Sequence, residues 1–280
     1  MKHRKLAVIA AVGGLLLGGA TVWYHSSSGV GQRSILLTDA VAIPASRGTG
    51  NVRVFMKIAN SGPPQHTLSV SSRDARAANL EGLEAGTSLI LPGNASGSFA
   101  ADGAHVLLEG VQGDLEEGRL LAIELSLAPA GKLSTKARLS KTSSMQHDMH
   151  ASSNGPSKQD HAARMAGLHM VPDGEPIPEL KLKVFEAPDG SGWGVELAPR
   201  NFRFAADLVD GEHVAGTGHG HLYLNGLKLG RLFSKSARIG VLPAGRHLVR
   251  VTLNTNDHKA YMANGKIVSA TASIAVAAEK

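Results

Sequence analysis

The sequence predicts an all-β protein built from two antiparallel sandwich domains. Three observations carry that prediction. Aromatics make up only 4% of the 280 residues, while Gly (33) and Pro (12) are frequent. The cores must therefore be built from Val, Leu, Ile and Ala, between many turns. In both halves of the chain, apolar and polar residues alternate over short runs, which is the period of a half-buried strand and not of a helix. Turn signals such as Ser61-Gly-Pro-Pro64, Leu91-Pro-Gly-Asn94 and Asn225-Gly226 separate those runs.

A chain of this length accommodates two domains of about 100–150 residues each. Residues 1–33 read as a membrane anchor or signal with a short link. Met1 to Lys5 is basic, and Leu6 to Tyr24 follows without a charge, close to the roughly 20 apolar residues that cross a bilayer as a helix. Trp23 and Tyr24 stand where an interfacial aromatic belt would lie. No small-x-small cleavage site follows, so an uncleaved transmembrane helix is favoured over a signal peptide. Either reading exports the remainder, to the periplasmic side of an inner membrane.

Residues 34–140 form the first predicted sandwich. In Asn51 to Ala59, Val52, Val54, Met56 and Ile58 alternate with Arg53, Phe55 and Lys57. Arg119 to Leu127 and Lys132 to Leu139 are further strands. Residues 141–178 change character, with Ser, Lys, Gln, Asn, Gly, Asp and Pro dominating, and read as a linker that orders on demand. From 179 to 280 the alternation returns, in Leu180, Leu182 and Val184, then in Trp193, Val195 and Leu197. The run His219 to Leu224, Asn225-Gly226 and Leu227 to Phe233 reads as a hairpin. Strands at His247 to Leu253 and Ile267 to Val276 complete about seven segments, the count of an Ig-like sandwich.

Cysteine is absent, which removes thiolate metal sites, disulfides and cysteine nucleophiles and leaves Met and His as the only soft or borderline ligands. Four of the six methionines beyond Met1 fall in the linker with four of the thirteen histidines: Met145, His147, Met149, His150, His161, Met165, His169 and Met170. Thioether and imidazole together suit Cu(I), so this run is the first metal candidate.

The second candidate lies in the last domain. His219 and His221 are two apart, so on a strand they share one face. His213 precedes them across the Gly-rich bend 215–218, which would fold it back toward the pair. His258 follows a strand, with Asp257 beside it as a carboxylate to orient an imidazole. Four imidazoles from His213, His219, His221 and His258 would suit Cu(II) or zinc.

No G-x-S-x-G or H-E-x-x-H motif is present, and Gly216-Thr-Gly-His-Gly220 leads into a strand where a phosphate cradle needs a helix. We therefore expect a non-enzyme. The net charge of +6 is spread without a basic run interleaved with aromatics, which argues against a nucleic-acid partner.

Residues 36–139 resemble the periplasmic copper chaperone family PCu(A)C. The resemblance lies in Val54-Phe-Met-Lys-Ile-Ala-Asn-Ser-Gly62, in Ser69-Val-Ser-Ser-Arg-Asp-Ala75, and above all in Gly103-Ala-His-Val-Leu-Leu-Glu-Gly110 with Leu115-Glu-Glu-Gly118. It implies a cupredoxin-like sandwich that holds Cu(I) through two His and two Met. The chain departs from that ligand set: His105 matches the His of the family's His-x-Met, but Leu107 stands at the Met, and residues 75–86 contain neither His nor Met. His105 is read as a remnant. Gly218 to Gly226 and Asn254 to His258 resemble a His-rich β-domain of exported bacterial proteins, which implies no particular activity.

Two functions follow. The first is an exported, membrane-anchored copper-binding protein for trafficking or tolerance, metallochaperone-like, which passes copper ions to a cuproenzyme or copper transporter. The second is a tethered β-sandwich interaction module without metal, docking a membrane or periplasmic protein.

Overall fold

The computed structural model describes residues 34–45, 50–141 and 167–278. The predicted anchor at 1–33 and the linker ligands Met145, His147, Met149, His150, His161 and Met165 lie outside these residues. Among the described residues no helix is long and apolar enough to cross a membrane.

The protein is all-β. In the first half the strands are β1 (Ile35–Pro44), β2 (Val52–Asn60), β3 (Gln65–Ser71), β4 (Ala75–Glu81), β5 (Ile90–Leu91), β6 (Ala95–Phe99), β7 (His105–Val111), β8 (Leu120–Ala128) and β9 (Gly131–Leu139). β2 is the pivot. One edge pairs antiparallel with β1; the other pairs with β6 along its C-terminal part and with β7 at its start. β7 continues to β4. β1 reaches β9 through a short parallel pairing, and β9 leads to β8 and β3. The alternation in β2 holds in part: Val52, Val54, Met56 and Ile58 are buried and Lys57 is exposed, but Phe55, expected on the polar face, is buried as well. β8 likewise buries Leu121, Ile123, Leu125 and Leu127.

The second half contains β10 (Leu168–Met170), β11 (Glu179–Glu186), β12 (Trp193–Arg200), β13 (Arg203–Phe204), β14 (Thr217–Leu224), β15 (Leu227–Leu232), β16 (Ser236–Gly240), β17 (Gly245–Asn254), β18 (Ala260–Ala263), β19 (Lys266–Ile267) and β20 (Ser269–Val276). β15, β14, β17 and β20 make an antiparallel sheet. β11, β12 and β16 make a second, three-stranded one. Leu222, Leu224, Val249, Val251 and Ile274 of the first meet Val195, Leu197 and Ile239 of the second. This is a seven-strand sandwich. The predicted hairpin is present, with Asn225 and Gly226 at φ 50° and 96°, the left-handed conformation that a two-residue hairpin turn needs at both central positions.

The end of the predicted linker departs from expectation. Leu168 to Met170 is a strand, paired in parallel with β18, so the second half begins earlier than the polar composition implied.

The halves also touch directly. β15 pairs with β6 at Lys228 and Ser98, and Gly93 forms an antiparallel bridge with Val241. Ala104 N–H donates to the Gly226 carbonyl at 2.7 Å, and Asn225 Nδ2 donates to the Ser88 carbonyl at 2.9 Å. A Cβ at Gly226 would lie 2.4 Å from the Gly82 carbonyl oxygen, so only glycine permits that approach. Each core holds a residue of the other half: Leu227 packs into the first, Ile90 into the second.

Candidate metal centre

The centre is built on β14. His219, His221 and Tyr223 alternate along it and share one face. Every residue of the strand is buried. β14 can run this close to β17 because Gly218 has no side chain: with φ +154°, its Cβ would lie 1.9 Å from the Asn254 carbonyl oxygen.

The third imidazole comes from the tight loop after β17. His258 N–H donates to the Thr255 carbonyl, Thr255 N–H donates to the Lys259 carbonyl, and Asn254 Nδ2 donates to the His258 carbonyl. His258 sits at φ +67°. Such a conformation is uncommon for a side-chain-bearing residue, and here the loop's hydrogen bonds hold it while the ring turns toward β14.

Three ring nitrogens converge. His219 Nε2 is 3.0 Å from His221 Nε2 and 3.3 Å from His258 Nδ1. Zinc or copper bound at about 2.0–2.1 Å to imidazole in a tetrahedral array spaces its donors by about 3.3 Å, which both distances from His219 nearly match, while all three nitrogens lie within 4.8 Å of one another. All three residues are at most 4% exposed.

The outer nitrogens fix the tautomers. His221 Nδ1 donates to Asp102 Oδ2 at 2.9 Å, and His258 Nε2 donates to Asp210 Oδ1. Each of those rings therefore points a bare lone pair inward. Three lone pairs at that spacing would repel, so His219 Nε2 carries the proton that bridges them. Binding a cation requires that proton to leave, and His219 Nδ1, buried and without a partner among the described residues, is the position to which it can move. Carboxylates behind metal-binding imidazoles are the usual orienting device.

Electrostatics agree with neutral rings at His219 and His221. Burial pushes the His219 imidazole down to about 2, with His221, His258, Arg231 and Lys228 adding repulsion. Burial also lowers His221, to about 4. The bond to Asp102 opposes that fall, and Lys228 and Arg231 reinforce it. Burial alone would raise the Asp102 carboxyl; Lys228, His221 and Tyr223 instead hold it well below the usual carboxylate range. Its Oδ2 accepts from Lys228 Nζ at 3.0 Å and from the Tyr223 hydroxyl at 2.7 Å as well as from His221. Arg250 caps the Tyr223 ring at 4.0 Å and pairs with Glu84 of the first half.

His213 does not join this group. The bend 213–216 is closed by Thr217 N–H and hydroxyl donating to the Val214 carbonyl. It carries His213 against Tyr261, where its ring lies tilted by 43° to that of His169 with centroids 4.0 Å apart. The expected four-histidine cluster is thus three histidines plus one that pairs with the end of the linker. Met170 points outward, 49% exposed, beside Met262 in the strand register. Asp257 orients no imidazole: it pairs with Lys259 and accepts from the Thr255 hydroxyl. Its expected role falls to Asp102 and Asp210. Neither was visible as a partner, because Asp102 lies 119 residues from His221 and Asp210 lies in a loop 48 residues before His258.

His105 is buried with Nδ1 3.1 Å from the Gly103 carbonyl and Nε2 3.5 Å from Glu81. It belongs to neither group of converging donors found among the described residues.

No family model matches the chain, and no curated protein matches it. Among solved structures, it is similar to the apo PCuAC domain from PmoF1, at 21% identity over 39% of this chain and 95% of that one, with a TM-score of 0.36. A copper-bound PCuAC domain from PmoF2 gives 21% identity over 39% and 94%, at 0.36. The Cu(I)-bound DR1885 of Deinococcus radiodurans gives 17% identity over 42% and 87%, at 0.30.

Proposed function

We propose that the chain is a copper-binding protein of metallochaperone type, with His219, His221 and His258 as its ordered site. The supporting observation is the meeting of three imidazole nitrogens within 4.8 Å of one another, with that of His219 3.0 and 3.3 Å from the other two and those two on rings oriented by carboxylates. Copper is favoured over zinc at a nitrogen site by intrinsic affinity. The thioether-rich run Met145 to Met170 adds donors that suit Cu(I) specifically. In this reading the run collects Cu(I) and the three-histidine centre holds copper more firmly. The apolar segment 6–24 anchors the protein on the periplasmic side of a membrane. Copper is cargo, delivered to a cuproenzyme or a transporter, and no catalytic step is required of the protein.

Titration of the full chain with Cu(I), Cu(II) and Zn(II) tests the reading. Sub-micromolar copper binding is expected, lost in a His219→Ala/His221→Ala/His258→Ala variant. Paramagnetic resonance of the Cu(II) form should show nitrogen hyperfine coupling from imidazoles. Copper binding no tighter than micromolar would overturn the reading and return the chain to the class of tethered interaction modules.

A further inference from the structure

We propose that His169, His213 and Glu175 form a second metal site, for a borderline divalent cation such as Zn(II) or Cu(II), at the rim of the second half.

The three residues come from separate segments. His169 is the middle residue of β10, held in register with Tyr261 of β18. His213 stands in the bend before β14. Glu175 lies in the turn after β10, where its N–H donates to the Pro172 carbonyl, and this turn curls the carboxylate back over His213. One donor atom from each lies within 4.8 Å of the others, and His213 Nε2 is 3.9 Å from Glu175 Oε2. A tetrahedral ion at about 2.0–2.2 Å from each donor spaces the donors by about 3.3–3.6 Å. The donors must therefore draw together by up to about 1.5 Å, a movement open to the partly exposed side chains of His213 and Glu175.

The polar accounting points the same way. Buried polar atoms are normally satisfied. Yet His169 Nε2 and both ring nitrogens of His213 have no hydrogen-bond partner among the described residues. One lone-pair nitrogen from each of the two touching rings, with a carboxylate alongside, forms a three-donor set that lacks only its acceptor of electron pairs. Two imidazoles and a carboxylate suit borderline divalent ions; the oxygen donor selects against Cu(I). The site also differs in access from the three-histidine centre: the side chains of His213 and Glu175 are 21% and 30% exposed, so an ion can exchange with solvent here. It stands independently of the copper reading of the buried centre.

Isothermal titration of the full chain with Zn(II) decides it. His213→Ala is expected to bind one equivalent fewer than the parent. The His219→Ala/His221→Ala/His258→Ala variant is expected to keep that equivalent, so failure of one site is distinguishable from failure of the other. Glu175→Gln, which leaves both rings in place, should weaken that step at least ~10-fold. Unchanged stoichiometry in a folded His213→Ala protein, with every step of Glu175→Gln within about 2-fold of the parent, would overturn the proposal. Where His213→Ala fails to fold, the Glu175→Gln titration decides alone.

Discussion

His105 and His221 make an instructive pair. Both are buried imidazoles on central strands, 4% exposed, and they lie on opposite sides of the contact between the halves. His105 spends one nitrogen on a carbonyl two residues away and faces Glu81 with the other. The residue two positions on is Leu107, and no second imidazole joins it in a group of converging donors among the described residues. His221 has His219 two positions before it, receives His258 from a loop, and has Asp102 fixing its outer nitrogen. Burial of a histidine is common to both; what distinguishes the second is convergence together with an orienting carboxylate. That carboxylate belongs to the first half. Asp102 sits three residues before His105. The first half thus supplies the anchor for the three-histidine group of its neighbour.

The sharpest way to break this comparison is to remove a ring from each side. His219→Ala should weaken copper or zinc binding by on the order of 100-fold or more, since loss of a ligand exceeds the 10–100-fold typical of an outer-shell change. His105→Ala should alter binding by less than about 3-fold. Comparable losses in both titrations would end the distinction. Next comes Asp102→Asn. It should weaken metal binding about 10–100-fold and destabilise the protein by about 3 kcal/mol, because Lys228, 5% exposed, loses its counter-charge. Chemical denaturation and calorimetric titration of the same variant read the two effects, and a variant altered in neither would sever the link between halves.

Smaller effects sharpen the picture. Asp210→Asn should cost less metal affinity than Asp102→Asn, on the order of 10-fold or below, because the Asp210 side chain is 59% exposed and water can replace it. Arg250→Ala removes a half-buried pair with Glu84 and a cation over Tyr223. About 1–2 kcal/mol of stability should be lost, with metal affinity changed only a few-fold. Lys57→Ala, which breaks an exposed pair with Asp39, serves as the floor, at less than about 0.5 kcal/mol.

Much of the frame was legible in the sequence because a half-buried strand writes its period into the chain. β2, β8 and β11 were recognisable from alternation alone, and the β14–β15 hairpin from Asn225-Gly226. The side-by-side placement of His219 and His221 followed from strand geometry. What stayed hidden was long-range. Nothing local in Ala101-Asp102-Gly103 reveals that its carboxylate will meet a ring 119 residues away. His213 was misplaced because a bend's direction depends on what it packs against, here Tyr261 and His169. β10 was hidden in a polar stretch because three residues are too short to display a period.

The exchange of Ile90 and Leu227 between the two cores has a consequence for how the protein comes apart. Melting the second half alone would strip cover from Leu227's neighbours in the first and pull Ile90 into water, while Asp102 and Lys228 lost each other. The halves should therefore lose structure in one cooperative step, giving a single calorimetric transition where two tethered modules would give two. A fragment beginning at residue 167 would lack both Ile90 and Asp102, and its histidines would be held by fewer constraints than their spacing along the strand suggests.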